Sequence, residues 1–215
     1  MKSMRLIATI CALAVLFMLA GCRASWVVDF TKAQEAELDD WGGYTSWSLN
    51  DPEGTGLTVP YDYVMTPVGF PSDFALTIWM TMQISEINDA DFRIWIAGDE
   101  SDYPEHYIEC VFSEAGDEDN EEVLIHEDGE GLGYRDVDIL DPIPGLKAGD
   151  NVFKLVRRGD HYRITMNGAL LASFDAQYFA PEACFVAFVT PDTSDVEIYY
   201  TKIKVDYEGE MVPLP

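Results

Sequence analysis

Most of the chain alternates between apolar and polar positions with a period of two, which is the pattern of half-buried β-strands. The alternation is clearest in three runs that are also rich in β-branched and aromatic residues, 74–83, 92–96 and 151–157. Turn residues separate such runs: Gly159 follows one of them, and Asn167-Gly168 has the two-residue signature of a type I′ hairpin. The stretch 151–174 is therefore predicted to form a three-stranded meander.

Only residues 31–38 have a helical pattern. Thr31 and Gln34 have the spacing of a capping box, and no β-branched residue follows the cap. Such a helix has two turns at most. Roughly a dozen short strands with turn signals between them, and so little helix, predict an all-β fold: a sandwich or jelly roll of two antiparallel sheets.

The first 22 residues differ in composition from the rest. Lys2 and Arg5 precede the almost wholly apolar run 6–20, which ends at Leu19-Ala20-Gly21-Cys22. A basic start, a short apolar run and small residues at its end are typical of a secretory signal, and the run is too short for a membrane span. The Leu-Ala-Gly-Cys sequence resembles the lipobox of bacterial lipoproteins.

The lipobox resemblance implies that the signal is cleaved before Cys22 and that this cysteine is acylated, so that its acyl chains hold the folded domain on a membrane face. Residue 23 is Arg rather than Asp, which in Gram-negative bacteria resembles cargo sorted to the outer membrane. An ordinary secretory signal with an incidental cysteine is the alternative. The predicted boundaries are a signal peptide at 1–21, a lipidated cysteine and short tether at 22–25, a sandwich at 26–208 and a tail at 209–215.

The chain is strongly acidic, with 39 Asp and Glu against 13 Lys and Arg and a formal net charge of −26. This balance excludes an ordinary nucleic-acid binder, because a phosphate backbone needs a basic patch to release its counterions. The hydrophobic content of 48% is too high for a disordered acidic chain. A saline habitat and bound divalent cations both explain the acidity, and composition does not choose between them.

Calcium is the cation considered, because it takes six to eight oxygen ligands and the run 114–122 is rich in carboxylates. The candidate ligands are Asp117, Asp119 and Glu121. Their spacing is not that of an EF-hand, and a solvated acidic loop is the alternative.

Cys110 and Cys184 lie in apolar, strand-like runs. An exported location permits a disulfide between them, but buried free thiols are equally at home in such strands. Sequence does not fix the pairing, so both states stay open.

Several segments resemble the superfamily of concanavalin A-like lectins and glucanases, which includes laminin-G-like jelly rolls. The segments that carry the resemblance are Val28-Asp29-Phe30, Trp41, Trp47-Ser48-Leu49, 153–159 and Asn167-Gly168. In that superfamily a strand near the N-terminus that carries Asp-Phe pairs with the last strand, here 199–207. The resemblance covers nearly all of 26–207, and its motifs are those of a fold rather than of an activity.

Four strand-like runs place aromatic and charged residues on the side opposite their apolar phase. In the run 74–83, for example, Ile78 and Met80 belong to the apolar phase and Trp79 points the other way. The residues selected by this test are Trp79, Arg93, Trp95, Tyr107, Glu109, Tyr134, Asp136 and Asp138. If the strands are neighbours, flat rings beside charged groups suit a sugar, which has an apolar ring face and a rim of hydroxyls. The alternative is a satellite core under a loop, with charges paired across strands.

Glycoside cleavage needs two carboxyl groups about 5 to 9.5 Å apart. Asp136, Asp138 and Asp141 match the Glu-x-Asp-x-x-Glu spacing of laminarinase-type glucanases in the same superfamily, with Asp in place of both Glu. Each replacement withdraws a carboxylate by one methylene, and Asp141 precedes Pro142, which favours a turn. The trio stays a candidate and is not adopted as a catalytic set.

The sequence thus predicts an exported, lipid-anchored β-sandwich of the cell envelope that binds carbohydrate or acts as an envelope-surface module without catalysis. In a Gram-negative organism the predicted location is the outer membrane. A glycoside hydrolase of the same superfamily and a structural or protein-interaction domain are the alternatives. An enzyme would have two converging carboxylates, whereas an interaction domain would have Trp79 and Trp95 buried and no cleft.

Overall fold

The structure is a computed structural model, and it describes residues 23–43, 47–49, 56–59, 62–83, 92–98, 107–115, 120–129, 133–140, 143–179, 181–190 and 197–213. The predicted signal peptide and Cys22 lie outside these residues. No helix in the described part of the chain is long and apolar enough to cross a membrane.

Seventeen strands and one 3-10 helix, Glu35–Glu37, are present among the described residues. The strands are β1 (Ala24–Asp29), β2 (Gly42–Gly43), β3 (Ser48–Leu49), β4 (Leu57–Thr58), β5 (Asp62–Met65), β6 (Val68–Pro71), β7 (Phe74–Gln83), β8 (Phe92–Ala97), β9 (Tyr107–Ala115), β10 (Asn120–Gly129), β11 (Gly133–Leu140), β12 (Gly149–Arg158), β13 (His161–Met166), β14 (Ala169–Asp175), β15 (Ala183–Thr190), β16 (Glu197–Tyr207) and β17 (Val212–Pro213).

The strands pair antiparallel in two sheets. Sheet A has the order β14-β13-β12-β7-β16-β4-β3, and β1 pairs with β16 on the edge of that path. Sheet B has the order β11-β10-β9-β8-β15-β5-β2, and β6 and β17 extend it beside β15. The predicted all-β sandwich is therefore confirmed.

Two local predictions are confirmed with it. The strands β12, β13 and β14 form the predicted meander, and Asn167 and Gly168 have φ values of 50° and 86°, both positive as a type I′ turn requires. The N-terminal strand β1 pairs with the last long strand β16 along its whole length, from Ala24 opposite Tyr207 to Asp29 opposite Lys202.

The helix predicted at 31–38 is wrong in extent, because only one 3-10 turn forms. Gln34 and Glu37 make the capping box, and Thr31 instead donates its hydroxyl to Asp29 at 2.6 Å. Phe30 and Leu38 are both buried. With both ends of so short a segment held in the core, one tight turn replaces the predicted helix.

The core lies between the sheets and is built from the predicted apolar phases. Phe74, Leu76 and Ile78 of β7 and Phe92 and Ile94 of β8 are fully buried. Fully burying one such side chain contributes about 1.5 to 3 kcal/mol relative to an exposed one. The period-two pattern therefore correctly predicted which side of each of these strands faces the core.

Cys110 and Cys184 are buried free thiols. Their strands, β9 and β15, lie on either side of β8, so about 10 Å of sheet separates them, more than a disulfide spans. Burial raises the pKa of Cys110. Burial also raises the pKa of Cys184 to about 11, although the guanidinium of Arg157 donates to its Sγ at 2.8 Å and opposes the shift.

A buried carboxylate joins the β10–β11 hairpin of sheet B to the segment that follows β14 of sheet A. The Oε1 atom of Glu127 accepts three successive backbone N–H groups, those of Gln177, Tyr178 and Phe179, at 2.6 to 2.7 Å. Its Oε2 atom accepts from Arg135 Nε at 2.7 Å. Burial alone would raise the pKa of Glu127, but these donors outweigh it, and the pKa lies below its ordinary value.

Candidate functional site

Three of the four strands selected for the sugar face lie close together in sheet B, where β8, β9, β10 and β11 are consecutive. The fourth, β7, lies in sheet A between β12 and β16. Trp79 is therefore on the outside of the other sheet, where Lys202 Nζ lies 5.2 Å from its ring centroid. Grouping Trp79 with Trp95 was wrong, because the phase of a strand gives the side that faces the core and not the sheet to which the strand belongs.

A row of residues crosses the outer face of sheet B at right angles to its strands. Trp95 lies opposite Glu109, Glu109 opposite His126, and His126 opposite Asp136. With neighbouring strands about 4.8 Å apart, the row is about 15 Å long. We call this row, together with Arg93 and Tyr107 beside it, the B-face site.

Glu109 is the centre of the B-face site. Its Oε1 atom accepts from Trp95 Nε1 at 2.7 Å and from Arg93 Nη1 at 3.0 Å, and its Oε2 atom contacts His126 Nε2. The Glu109 side chain is only 4% exposed. Burial would raise its pKa, but the hydrogen bonds from His126 and Trp95 and the charge of Arg93 outweigh burial and leave the pKa below its ordinary value. Glu109 is therefore a fixed anion that orients its three neighbours.

His126 lies between two carboxylates. Its Nε2 atom contacts Glu109, and its Nδ1 atom lies 3.8 Å from Asp136 Oδ1. Asp136 is 51% exposed and Arg93 is 37% exposed, so both ends of the charged row are open to solvent. Sequence reasoning did not select His126, because the inward-facing Glu127 beside it interrupts the apolar phase that would have marked β10.

Trp95 is less exposed than expected for a residue on the outward side of its strand. Its ring lies between Tyr63 and Tyr107, with centroid distances of 5.7 and 5.6 Å, and it is 7% exposed. It belongs to a second apolar cluster on this face that also contains Tyr63 and Phe185. Tyr107 is partly exposed, so it, and not Trp95, is the ring available for stacking. Burial, reinforced by the nearby charge of Glu109, raises the pKa of Tyr107.

Only one of the two aspartates of β11 pairs with a residue of the row. A register shift between Ile125 and His126 places Asp136 opposite His126 and Asp138 opposite Ile125, which is fully buried. This one-residue irregularity breaks the simple alternation on which the prediction for Asp138 rested. The side chain of Tyr134 and the whole of Asp141 lie outside the described residues, so the structure brings only Asp136 of the acidic trio to the B-face site.

The predicted calcium ligands are not described in full. Asp117 and Asp119 lie outside the described residues, and so does the side chain of Glu121. In the part of the chain that is described, no group of three or more His, Cys, Asp or Glu is arranged to hold a metal ion. Calcium binding stays a prediction.

Comparisons with known proteins define the fold. No protein-family model matches the chain, and no curated protein is significantly similar in sequence. A Bacillus subtilis protein of unknown function with a galectin-like fold matches with a TM-score of 0.63 at 11% identity, over 87% of this chain and 96% of that one. The exoplasmic/lumenal domain of VIP36 in its Ca²⁺-bound form matches with 0.59 at 7% identity, over 88% and 95%. A family 16 endo-glucanase from Bacteroides ovatus matches with 0.58 at 11% identity, over 84% and 99%.

At these identities the similarity concerns the fold. The chain has a galectin-like jelly roll of the concanavalin A-like type, as the motif Val28-Asp29-Phe30 and the Asn167-Gly168 hairpin predicted. The same architecture supports lectins and glycoside hydrolases, so function has to be argued from the B-face site.

Proposed function

We propose that the B-face site binds carbohydrate without cleaving it. The observation that supports this proposal is the row in which the buried carboxylate of Glu109 holds Arg93, Trp95 and His126, with Asp136 at the open end. The partly exposed ring of Tyr107 lies beside this row, stacked on Trp95.

These groups match the chemistry of a sugar ring. Arg93 donates hydrogen bonds and Asp136 accepts them, so both suit hydroxyl groups, while Tyr107 presents an apolar surface to a pyranose face. Glu109 and Trp95 act from beneath as positioning residues, because they are nearly buried and fix the side chains above them. The solved neighbours in this fold include VIP36 in a Man3GlcNAc-bound form, which supports a glycan as the partner.

Binding is favoured over catalysis by the state of Glu109. A glycoside hydrolase needs one carboxyl group that is protonated near neutral pH, which is achieved by raising its pKa. The pKa of Glu109 lies below its ordinary value, so this carboxylate is a poor proton donor. A glycoside hydrolase remains the second candidate, supported by the fold of the Bacteroides ovatus endo-glucanase.

One screen separates the two functions. The full chain, in detergent, is applied to immobilised envelope and plant polysaccharides, and every polymer that retains it is then assayed for release of reducing sugar. Retention without release supports the proposal. Release of reducing sugar contradicts the proposal that the site does not cleave its ligand. Retention on no polymer contradicts carbohydrate binding itself.

We also propose that the domain is anchored to the cell envelope through acylated Cys22, on the outer membrane in a Gram-negative organism. The lipobox at 19–22 supports this location. The residues that follow it are tied to the end of β16: Arg23 Nε bonds Glu208 Oε1 at 2.8 Å, and Ser25 bonds Asp206. Cys22→Ser should abolish incorporation of labelled fatty acid and move the protein out of the detergent phase. Unchanged labelling and partitioning of the Ser variant would contradict the anchor.

A further inference from the structure

The outer face of sheet A is rich in basic residues, although the whole protein is strongly acidic. Of the 13 Lys and Arg residues, Lys2 and Arg5 belong to the predicted signal, which leaves 11. Five of these 11 lie on strands β12, β13 and β16 with their side chains on the solvent side of sheet A: Lys154, Arg158, Arg163, Lys202 and Lys204. We call this surface the basic face.

The register of sheet A aligns the centre of the basic face. Lys204 of β16 lies opposite Thr77 of β7, which lies opposite Lys154 of β12. Two strand spacings place the Cα atoms of the two lysines about 10 Å apart. Two residues further along the same two strands, Lys202 lies opposite Trp79 and over its ring. The centre thus combines closely spaced cations with an indole.

Apolar side chains extend the same row to both edges of the sheet. Val27 pairs with Lys204 from β1, and Leu170 of β14 lies beyond Lys154 and Thr165. Val27 is 45% exposed and Leu170 is 47% exposed, and they are two of the three large hydrophobic residues that are this exposed in the described part of the chain. Cations, an interfacial Trp and exposed aliphatic residues on one surface are the combination that binds to lipid headgroups.

The acidic residues of this face already have partners. Asp206 accepts from Lys204 at 2.8 Å and from Ser25, and Asp29 accepts from Lys32 at 2.6 Å. Asp150 and Asp175 lie at strand ends, bonded to Thr81 and His161. The five cations therefore outnumber the four carboxylates on the described strands of this face, although Asp29 lies opposite Lys202 and Asp206 pairs with Lys204.

The predicted acylation site directly precedes, in sequence, a residue at the border of this face. Arg23 lines a groove on the solvent side of sheet A. Lys154 and Arg158 line the same groove, together with the carboxylates of Asp73, Asp206 and Glu208. Cys22 precedes Arg23 directly, and consecutive Cα atoms lie about 3.8 Å apart. The ion pair between Arg23 and Glu208 leaves almost no free tether between the anchor and β1.

We propose that the basic face lies against the anionic headgroups of the membrane in which Cys22 is anchored, so that the B-face site is turned away from the bilayer. This inference rests on the proposed lipid anchor. Once acyl chains supply the affinity, the charge distribution decides only the orientation. The acidic remainder of the protein is repelled by an anionic surface, while the basic face is attracted to it.

The test uses the full, acylated chain reconstituted in phosphatidylcholine vesicles with and without phosphatidylglycerol. A water-soluble lysine-acetylating reagent is applied, and modification is quantified peptide by peptide. In the anionic vesicles, labelling of Lys154, Lys202 and Lys204 should fall about fivefold or more. The attraction of a single basic residue to an anionic surface shifts the binding equilibrium by about that factor. Labelling of Lys147, which precedes β12, provides the internal reference.

Charge reversal gives the matched comparison. Lys154→Glu should weaken the protection of Lys202, whereas Lys147→Glu, the same change in charge outside this face, should preserve it. The proposal is overturned if the protein floats with both kinds of vesicle but the lysines of the basic face are labelled equally in both. It is also overturned if the face is already protected in detergent, which indicates self-association. A chain that carries no acyl group and floats with neither vesicle overturns the anchor and the orientation together.

Discussion

The indole N–H of Trp95 donates a 2.7 Å hydrogen bond to the Oε1 atom of Glu109, the residue opposite it on the neighbouring strand. This bond connects the apolar half of the outer face of sheet B, where Trp95 packs on Tyr63, to its charged half, where Glu109 contacts His126. A buried carboxylate needs such donors, because an unpaired charge at this depth would be strongly unfavourable.

Trp95→Phe should therefore destabilise the fold as well as disturb the site. The variant keeps an aromatic ring but removes a hydrogen bond to a charged group, a loss of roughly 1.5 to 3 kcal/mol in the free energy of unfolding. Denaturant unfolding followed by circular dichroism measures the change. Trp79→Phe is the matched control, because it removes only an exposed ring contact with Lys202, and it should cost less than about 1 kcal/mol. Equal stability of the two variants would contradict the role assigned to the Trp95–Glu109 bond.

The carboxylate of Glu127 should make the stability depend on acidic pH. Its pKa in the folded chain lies below the ordinary value of 4.5, because the backbone donors and Arg135 outweigh burial. Its contribution is therefore complete above pH 4.5 and is lost as the pH falls through the folded pKa, since the unfolded chain takes up the proton first. Unfolding free energies measured between pH 7 and 3 should fall less steeply below pH 5 in Glu127→Gln than in the wild-type chain.

At neutral pH the same Glu127→Gln substitution should cost roughly 1.5 to 3 kcal/mol, because it removes the charge that accepts the hydrogen bonds of Arg135 and of three backbone N–H groups. Glu208→Gln, which breaks the exposed pair with Arg23, should cost no more than about 1 kcal/mol. Identical pH profiles for wild type and Glu127→Gln would show that this carboxylate does not join the two sheets.

The thiols of Cys110 and Cys184 should be unreactive in the folded protein. Both are fully buried, and burial raises both pKa values, that of Cys184 to about 11, so almost no thiolate is present at neutral pH. Alkylation followed by mass spectrometry should leave both peptides unmodified under native conditions and modify both after unfolding without a reductant. A peptide pair linked by a disulfide would contradict the free thiols.

Calcium should raise the melting temperature if the acidic run 114–122 binds it, because a ligand that binds only the folded state stabilises that state. Thermal unfolding in excess chelator and in calcium gives the comparison, with magnesium as a control for general screening. Replacing Asp117 and Asp119 by Asn should remove the calcium-dependent shift. Equal melting temperatures in chelator and in calcium would reject this ligand set.

The sequence was sufficient for the fold but not for the membership of each sheet. Apolar periodicity correctly identified the core residues of β7 and β8, because burial acts on each strand separately. The association of Trp79 with Trp95 failed, since strand order depends on long-range pairing that no local pattern encodes. Resemblance to a superfamily supplied the pairing of β1 with β16, which periodicity alone does not contain.

The site was predicted in part for the same reason. Arg93, Tyr107, Glu109 and Asp136 were placed on one face because each lies on the side of its strand opposite the apolar phase, and the structure brings these four together on sheet B. His126 was missed because Glu127 beside it faces inward and pairs with Arg135, so β10 has no clean alternation. Asp138 pairs with Ile125 and not with a residue of the row, and this could not be predicted, because the irregularity at Ile125 and His126 is a property of two paired strands and not of either one alone.

We expect the outer face of sheet B to hold the carbohydrate site, and affinity electrophoresis of variants measures this. The gels contain whichever polysaccharide retains the wild-type chain. Arg93→Ala and Tyr107→Ala should each weaken retention by roughly 5- to 150-fold, the loss of about 1 to 3 kcal/mol expected for a central contact. Trp79→Ala, on sheet A, should migrate as the wild type does. If Trp79→Ala loses retention while Arg93→Ala and Tyr107→Ala keep it, the carbohydrate site is not on sheet B.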